Sequence, residues 1–166
     1  MSARVANSLG LAACAALLAY AYYAQFVMHL EPCPLCIFQR VGVFATGLMF
    51  ALAAAHDPAG WGRRVYAALI ALTSAATIGV AARQVYIQSL PPDAVPACGA
   101  SLDFMLKVFP LTDVLTKVLT GSGECAKINW RFLGLAMPVW VLICAVGLCI
   151  WGLWANLRHR RPVLRF

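Results

Sequence analysis

CPLCIFQRVGVFATGLMFALAAA (residues 33–55) is the stretch that decides how the rest of this chain is read. From Leu35 onward its 21 residues hold one charged side chain, Arg40. That is the length and composition a helix needs to cross roughly 30 Å of hydrocarbon. The opening residues, Cys33-Pro34-Leu35-Cys36, place two thiols at the edge of the span. One short segment therefore asks for a bilayer and sets redox chemistry at its rim.

Working outward, three further stretches, about 9–28, 65–82 and 132–157, are long and apolar enough to span as well. The whole chain is 63% hydrophobic and 11% charged, against roughly 45–50% apolar residues in an ordinary soluble domain. Runs such as 66–82 lack the alternation of a membrane β-barrel, and a helix satisfies its own backbone in lipid. The expected fold is an all-α membrane protein, a four-helix transmembrane bundle forming one domain over residues 1–166. Its connections are outer loops at 29–34 and 86–131, a cytoplasmic loop at 56–64 and a tail at 158–166. The spans show no polar lining suited to a transporter or channel. Arg4 ahead of an apolar run, with Ala19-Tyr20-Ala21 behind it, also has the look of a signal peptide; an uncleaved first helix is the expectation.

Charge sets the orientation. With four spans, Arg4, Arg63, Arg64, Arg158, Arg160, Arg161 and Arg165 fall on one side, seven of the 13 basic residues, with Asp57 as the sole acid there. The positive-inside tendency makes that side cytoplasmic, so both termini are expected in the cytoplasm. The other side carries Glu31, Asp93, Asp103, Asp113 and Glu124 beside Lys107, Lys117, Lys127 and Arg131. The net charge of +7 is accounted for by topology and anionic lipid, with no nucleic acid required.

The second outer loop is too long for a simple connector. Pro91, Pro92 and Pro96 predict an end to the third helix and an extended run to Cys98. Leu111, Val114, Leu115, Val118 and Leu119 recur at helical spacing, which predicts a short amphipathic helix lying on the membrane surface or on the end of the bundle.

Of the seven cysteines, Cys14, Cys144 and Cys149 fall inside apolar spans, where a thiol is ordinarily a small inert hydrophobe. The other four, Cys33, Cys36, Cys98 and Cys125, are expected on the outer side, where a disulfide can persist. A bridge across the two-residue gap from Cys33 to Cys36 closes a very small ring and is readily exchanged. Cys36 lies near a helix N-terminus, which favours a thiolate, and Arg40 is one turn on along the same face. A guanidinium in a span is unfavourable by roughly 2.5–3.5 kcal/mol at mid-depth. Arg40 is therefore expected either to reach headgroups or to hold the polar oxygens of a lipid-soluble redox ligand beside Cys36. Arg83 admits the same two readings, with headgroup contact the simpler. Cys98 and Cys125 enclose 26 residues, a loop that a disulfide could staple with about 3–4 kcal/mol of chain-entropy stabilisation or present to a partner's thiolate.

Taken together, Glu31-Pro32-Cys33-Pro34-Leu35-Cys36 with Gln39-Arg40, Pro96-Ala97-Cys98-Gly99, Gly121-Ser122-Gly123-Glu124-Cys125, and Trp130-Arg131-Phe132-Leu133-Gly134-Leu135 before Met137-Pro138 resemble the disulfide bond formation protein B (DsbB) family of bacterial inner membranes. The CxxC alone is weak; the order and placement of the whole set carry the resemblance. It implies a quinone-dependent protein-thiol:disulfide oxidoreductase that reoxidises a periplasmic DsbA-like thiol oxidase and passes electrons to ubiquinone or menaquinone, without a metal. Under the resemblance, Cys98 is the sulfur attacked by the reduced partner and Cys125 is its pair. Cys33 exchanges with the loop disulfide, and Cys36 meets the quinone with Arg40 helping to bind it. Family members often carry a histidine near the outer end of the third helix; the approximate correspondence puts Gln84 there, so Gln84 is a candidate quinone contact without a titrating proton. Gln39 receives no role. A monomer in contact with the membrane quinone pool is expected.

Three rivals remain. A vitamin K epoxide reductase-like enzyme would share the CxxC and the quinone, although its motif generally comes late in the bundle. A zinc site built from the four outer cysteines would have unusually loose spacing. A disulfide-stapled tetraspan without activity would tolerate Cys36→Ser.

Overall fold

The computed structural model describes residues 1–91, 107, 110, 112–113, 116, 123–126, 128 and 130–158. Four long helices dominate: α1 (Ala3–Phe26), α2 (Pro34–His56), α3 (Trp61–Gln88) and, after a short α4 (Gly123–Ala126) and a hairpin of β1 (Arg131–Phe132) and β2 (Leu135–Ala136), α5 (Met137–Leu157). All four are long and apolar enough to cross a membrane. Their outward faces carry exposed Val41, Phe44, Leu48, Leu72, Ile143 and Ile150. So many large apolar side chains left uncovered suit hydrocarbon and not water.

Local chemistry sets the ends. Ser2 caps α1 by accepting the Val5 N–H at 3.1 Å. Asp57 ends α2 in the left-handed region at φ 40°, its N–H returning to Ala53 O. The third helix outruns its apolar stretch, which ends near 82, and carries Arg83, Gln84 and Gln88 with it. A helix keeps its hydrogen-bond ladder beyond the hydrocarbon until a proline stops it, and here Pro91-Pro92 stand close ahead. The fourth apolar stretch, expected to be helical from about 132, starts as a hairpin. Arg131 pairs with Ala136 and Phe132 with Leu135, leaving Leu133 (φ 51°) and Gly134 (φ 79°) as a two-residue turn. Positive φ at both turn residues is what such hairpins require. The extended run to Cys98 and the amphipathic helix over 111–119 lie outside the described residues, apart from isolated positions.

The bundle is sequential: α1 packs along α2, α2 along α3, and α3 along α5, whereas α1 and α5 meet over a much smaller area. Close approach depends on small residues. Phe50 is fully buried with its ring against Gly10, where a Cβ would lie within 2.6–2.8 Å, and beside Gly152. The α1–α5 seam is closed at one end by Asn7 and Asn156, whose side-chain amides exchange hydrogen bonds at 3.1 and 2.9 Å. Trp151 Nε1 adds a bond to Ala6 O at 2.9 Å. Toward the other end, where the cysteines sit, the two helices leave room for a cavity.

Candidate active site

The start of α2 builds the site. Cys33 is extended (φ −69°, ψ 164°) and occupies the N-cap, with Pro34 opening the helix, a position where its missing N–H costs nothing. A cap is usually a side-chain oxygen; here it is sulfur, Cys33 Sγ accepting the Cys36 N–H at 3.4 Å. One of the N–H groups at the helix N-terminus, that of Cys36 itself, is thus taken up by Cys33. The same turn sets the two sulfurs 3.0 Å apart, within hydrogen-bond reach.

Cys125 joins them from α4. It is buried, packed with Leu35 and Ile87, and Cys33 packs against the same cluster. Gln88 of α3 holds this segment by donating from Nε2 to Cys125 O at 3.4 Å. Cys33 therefore lies between two sulfurs. Its pKa is raised above the ordinary thiol range, first by the hydrogen bond with Cys125, then by that with Cys36, and then by burial. Of three crowded thiols the middle one keeps its proton. Cys98 lies outside the described residues.

Gln84 reaches the sulfurs from α3. Its Nε2 is 3.4 Å from both Cys33 Sγ and Cys36 Sγ. Its Oε1 accepts Gln39 Nε2 at 2.7 Å and faces the Cys36 thiol at 3.6 Å. Both glutamines are buried. Gln84 thus lines the cavity, as a candidate quinone contact should, but its amide is engaged by sulfur and by Gln39. Sequence reasoning missed Gln39. The available signal was an uncharged amide inside an apolar span, three residues after Cys36 and so on its face.

Arg40 turns to α1. Nη1 donates to Gln25 Oε1 and Nη2 to Ala21 O, the latter at 3.0 Å, with the guanidinium 5.2 Å from the Tyr22 ring centre. Protein groups thus offset the burial of this charge, and the side-chain donor that reaches Cys36 Sγ is Gln84. Arg83 lies over Tyr86 of its own helix at 5.3 Å.

Cys33, Cys36, Gln39, Arg40 and Gln84 share a cavity of about 170 Å³ whose walls include Leu17, Val43, Val141 and Trp140. Apolar walls with a few converging polar groups at one edge are the ordinary form of a small-molecule site, and a flat ring with polar oxygens fits this donor set. Cys144, expected to be inert in its span, lines the same cavity, whereas Cys14 is buried against Gly47. Trp130 and Trp140 also line the cavity, linked through Phe132 by ring contacts at 6.0 and 5.8 Å. Among the described residues, no group of three or more His, Cys, Asp or Glu is arranged to hold a metal ion.

Comparison with known proteins finds the same pattern over nearly all of the chain. The sequence model of a family described as disulfide bond formation protein DsbB matches residues 3–155. A protein of Nitrosococcus oceani named disulfide bond formation protein B is 51% identical over 154 residues, covering 93% of this chain and 91% of its own. Its namesake in Chromobacterium violaceum is 49% identical over 150 residues, 90% of each chain. That of Marinobacter nauticus is 47% identical over 162 residues, 98% of this chain and 96% of its own.

Proposed function

The chain belongs to the disulfide bond formation protein DsbB family, and from that premise we propose that it reoxidises a periplasmic DsbA-like dithiol oxidase and delivers the electrons to ubiquinone or menaquinone in the bacterial inner membrane. Family membership makes it a membrane disulfide oxidoreductase. The specific relay is supported above all by one observation: the sulfurs of Cys33 and Cys36 are in hydrogen-bond contact at the edge of an apolar cavity, and Cys33 packs against the buried cluster that holds Cys125.

In this relay a thiolate of the reduced partner attacks Cys98 of a Cys98–Cys125 disulfide. A mixed disulfide forms, and Cys125 leaves as a thiolate. Cys125 then attacks Cys33 of the Cys33–Cys36 disulfide; a Cys33–Cys125 bond forms and Cys36 departs carrying the electron pair. Such steps need alignment and a good leaving group, and no acid–base triad. The buried contact between Cys125 and Cys33 suits the second exchange. Arg40 and Gln84 would hold a quinone beside Cys36, and the quinone when bound accepts two electrons and two protons to become quinol. The partner's second thiol displaces Cys98, and the Cys98 thiolate attacks Cys125, restoring the Cys98–Cys125 bond and freeing Cys33. Cys33 and Cys36 then re-form their disulfide as their electron pair and two protons pass to the quinone, so that over the cycle the partner's dithiol becomes a disulfide and electrons and protons balance. Both termini are placed in the cytoplasm and the redox loops in the periplasm by the positive-inside tendency.

Anaerobic mixing of the protein with a reduced DsbA-like oxidase and a soluble quinone tests this. One quinol per partner dithiol is expected from the wild type and none from Cys36→Ser, while a partner lacking its second thiol accumulates a covalent adduct through Cys98 of the wild type. Undiminished turnover by Cys36→Ser would overturn the relay.

A further inference from the structure

The two glutamines at the sulfur cluster form a chain with a direction. Gln39 Nε2 donates to Gln84 Oε1 at 2.7 Å, and the Gln84 NH2 group faces Cys33 Sγ and Cys36 Sγ, each at 3.4 Å; the same Oε1 also accepts from the protonated Cys36 thiol, at the longer distance of 3.6 Å. Both side chains are at least 96% buried (3% and 4% exposed), so water does not compete for these bonds. A neutral sulfur is a weak acceptor, whereas an anionic one makes a charge-assisted bond about twice as strong. The Gln84 N–H therefore makes only a weak bond to the thiol or disulfide, the thiol's own proton going to Oε1 at 3.6 Å, and a strong one to the thiolate.

We propose that Gln84 stabilises the Cys36 thiolate as it leaves in the exchange, and that Gln39 is the positioning residue that aims the Gln84 amide at the sulfur. The proposal rests on the relay above and deepens it, adding a role at the sulfur to the place of Gln84 in the cavity wall. An amide at this point carries no proton of its own to give up, so its assistance does not switch off with pH. Once Cys36 has lost its proton, closer approach of Oε1 than its present 3.6 Å would set two acceptors against each other; the bond from Gln39 opposes that approach.

The test is alkylation of the reduced, full-length protein in detergent by N-ethylmaleimide, with rates at Cys36 and Cys144 read separately by peptide mass spectrometry. It needs neither quinone nor partner, so its outcome is independent of the quinol assay. At about pH 7, Gln84→Leu is expected to slow Cys36 about tenfold and Gln39→Met about threefold, with Cys144 unchanged. Both deficits should close near pH 9.5, where an ordinary thiol ionises unaided. The double variant should be no slower than Gln84→Leu alone, because Gln39 acts through Gln84. Should Gln84→Leu fail to fold, Gln84→Met removes the same donor at similar volume and decides the matter. Wild-type rates in Gln39→Met, an equal slowing at every pH, or additive losses in the double variant would each overturn the proposal.

Discussion

Two buried amide pairs, one near each end of the bundle, solve the same problem in opposite ways. An amide in a membrane span must find partners inside the protein. Asn7 and Asn156 do so reciprocally, and the spare N–H of Asn156 goes to Gly152 O at 2.9 Å. That pair is closed and leaves nothing for chemistry. Gln39 and Gln84 are joined one way, and the chain ends on sulfur. Reciprocity fastens α1 to α5; directionality leaves a donor whose best partner is a charge that exists only during reaction. Composition does not separate the two pairs. What the last donor faces does.

The largest effect expected at the open-ended site concerns its middle sulfur. A raised pKa means Cys33 holds its proton at pH values where an ordinary thiol has begun to lose it, so its alkylation in the reduced wild type should stay slow up to about pH 9. Cys125→Ala removes the leading cause; the Cys33 pKa falls toward the ordinary range and its alkylation near pH 8 should rise more than about tenfold. An unchanged Cys33 rate would mean that the sulfur cluster is not organised around Cys33. Next comes Arg40→Met, which should raise the apparent quinone KM on the order of tenfold, the scale of one charge-assisted bond, while exchange with the partner stays intact. If quinone kinetics did not move, Arg40 would be an anchor between α2 and α1 through Gln25 and Ala21, and no more.

The two ends were unequally legible in the sequence. Four spans follow from uninterrupted apolar length, and Cys33-Cys36 could be placed at a helix start because Pro34 marks the first turn. Hydropathy takes residues 132–136 of the hairpin into the fourth span, since Phe132, Leu133 and Leu135 are as apolar as a span and the turn depends on positive φ at Leu133 and Gly134, which hydropathy does not register. Gln39 and Gln84 are 45 positions apart; their partnership is a product of α2–α3 packing, and no local pattern encodes it. The cost of Arg40 in lipid signals that the charge needs compensation. That Gln25 and Ala21 of α1 supply it is again a tertiary fact.

The closed pair predicts a smaller effect of a different kind. Asn156→Leu leaves the Asn7 amide without its partner inside the bundle and should lower stability in detergent by about 1 kcal/mol, the upper part of the range for interhelical bonds in membranes. Cys36 alkylation should be unaltered. Asn7→Leu with Asn156→Leu should cost less than the two singles summed, because no orphaned amide remains. A drop in Cys36 reactivity in either single variant would show that the seam communicates with the sulfurs and would break the contrast between a fastening pair and a working one.

The smallest effect falls on Gln88, one turn along α3 from Gln84. Its bond goes to the backbone carbonyl of Cys125, so it acts on where that cysteine is held and leaves the charge on sulfur untouched. Gln88→Leu should therefore slow exchange between Cys125 and Cys33 about twofold, in line with one neutral hydrogen bond. The slowing should be the same at every pH, whereas the Gln84→Leu deficit fades as pH rises. Stopped-flow thiol exchange between about pH 7 and 9 separates the two. A pH-dependent loss in Gln88→Leu would mean that α3 supplies a second donor to the sulfurs, and the directional chain would then have two ends instead of one.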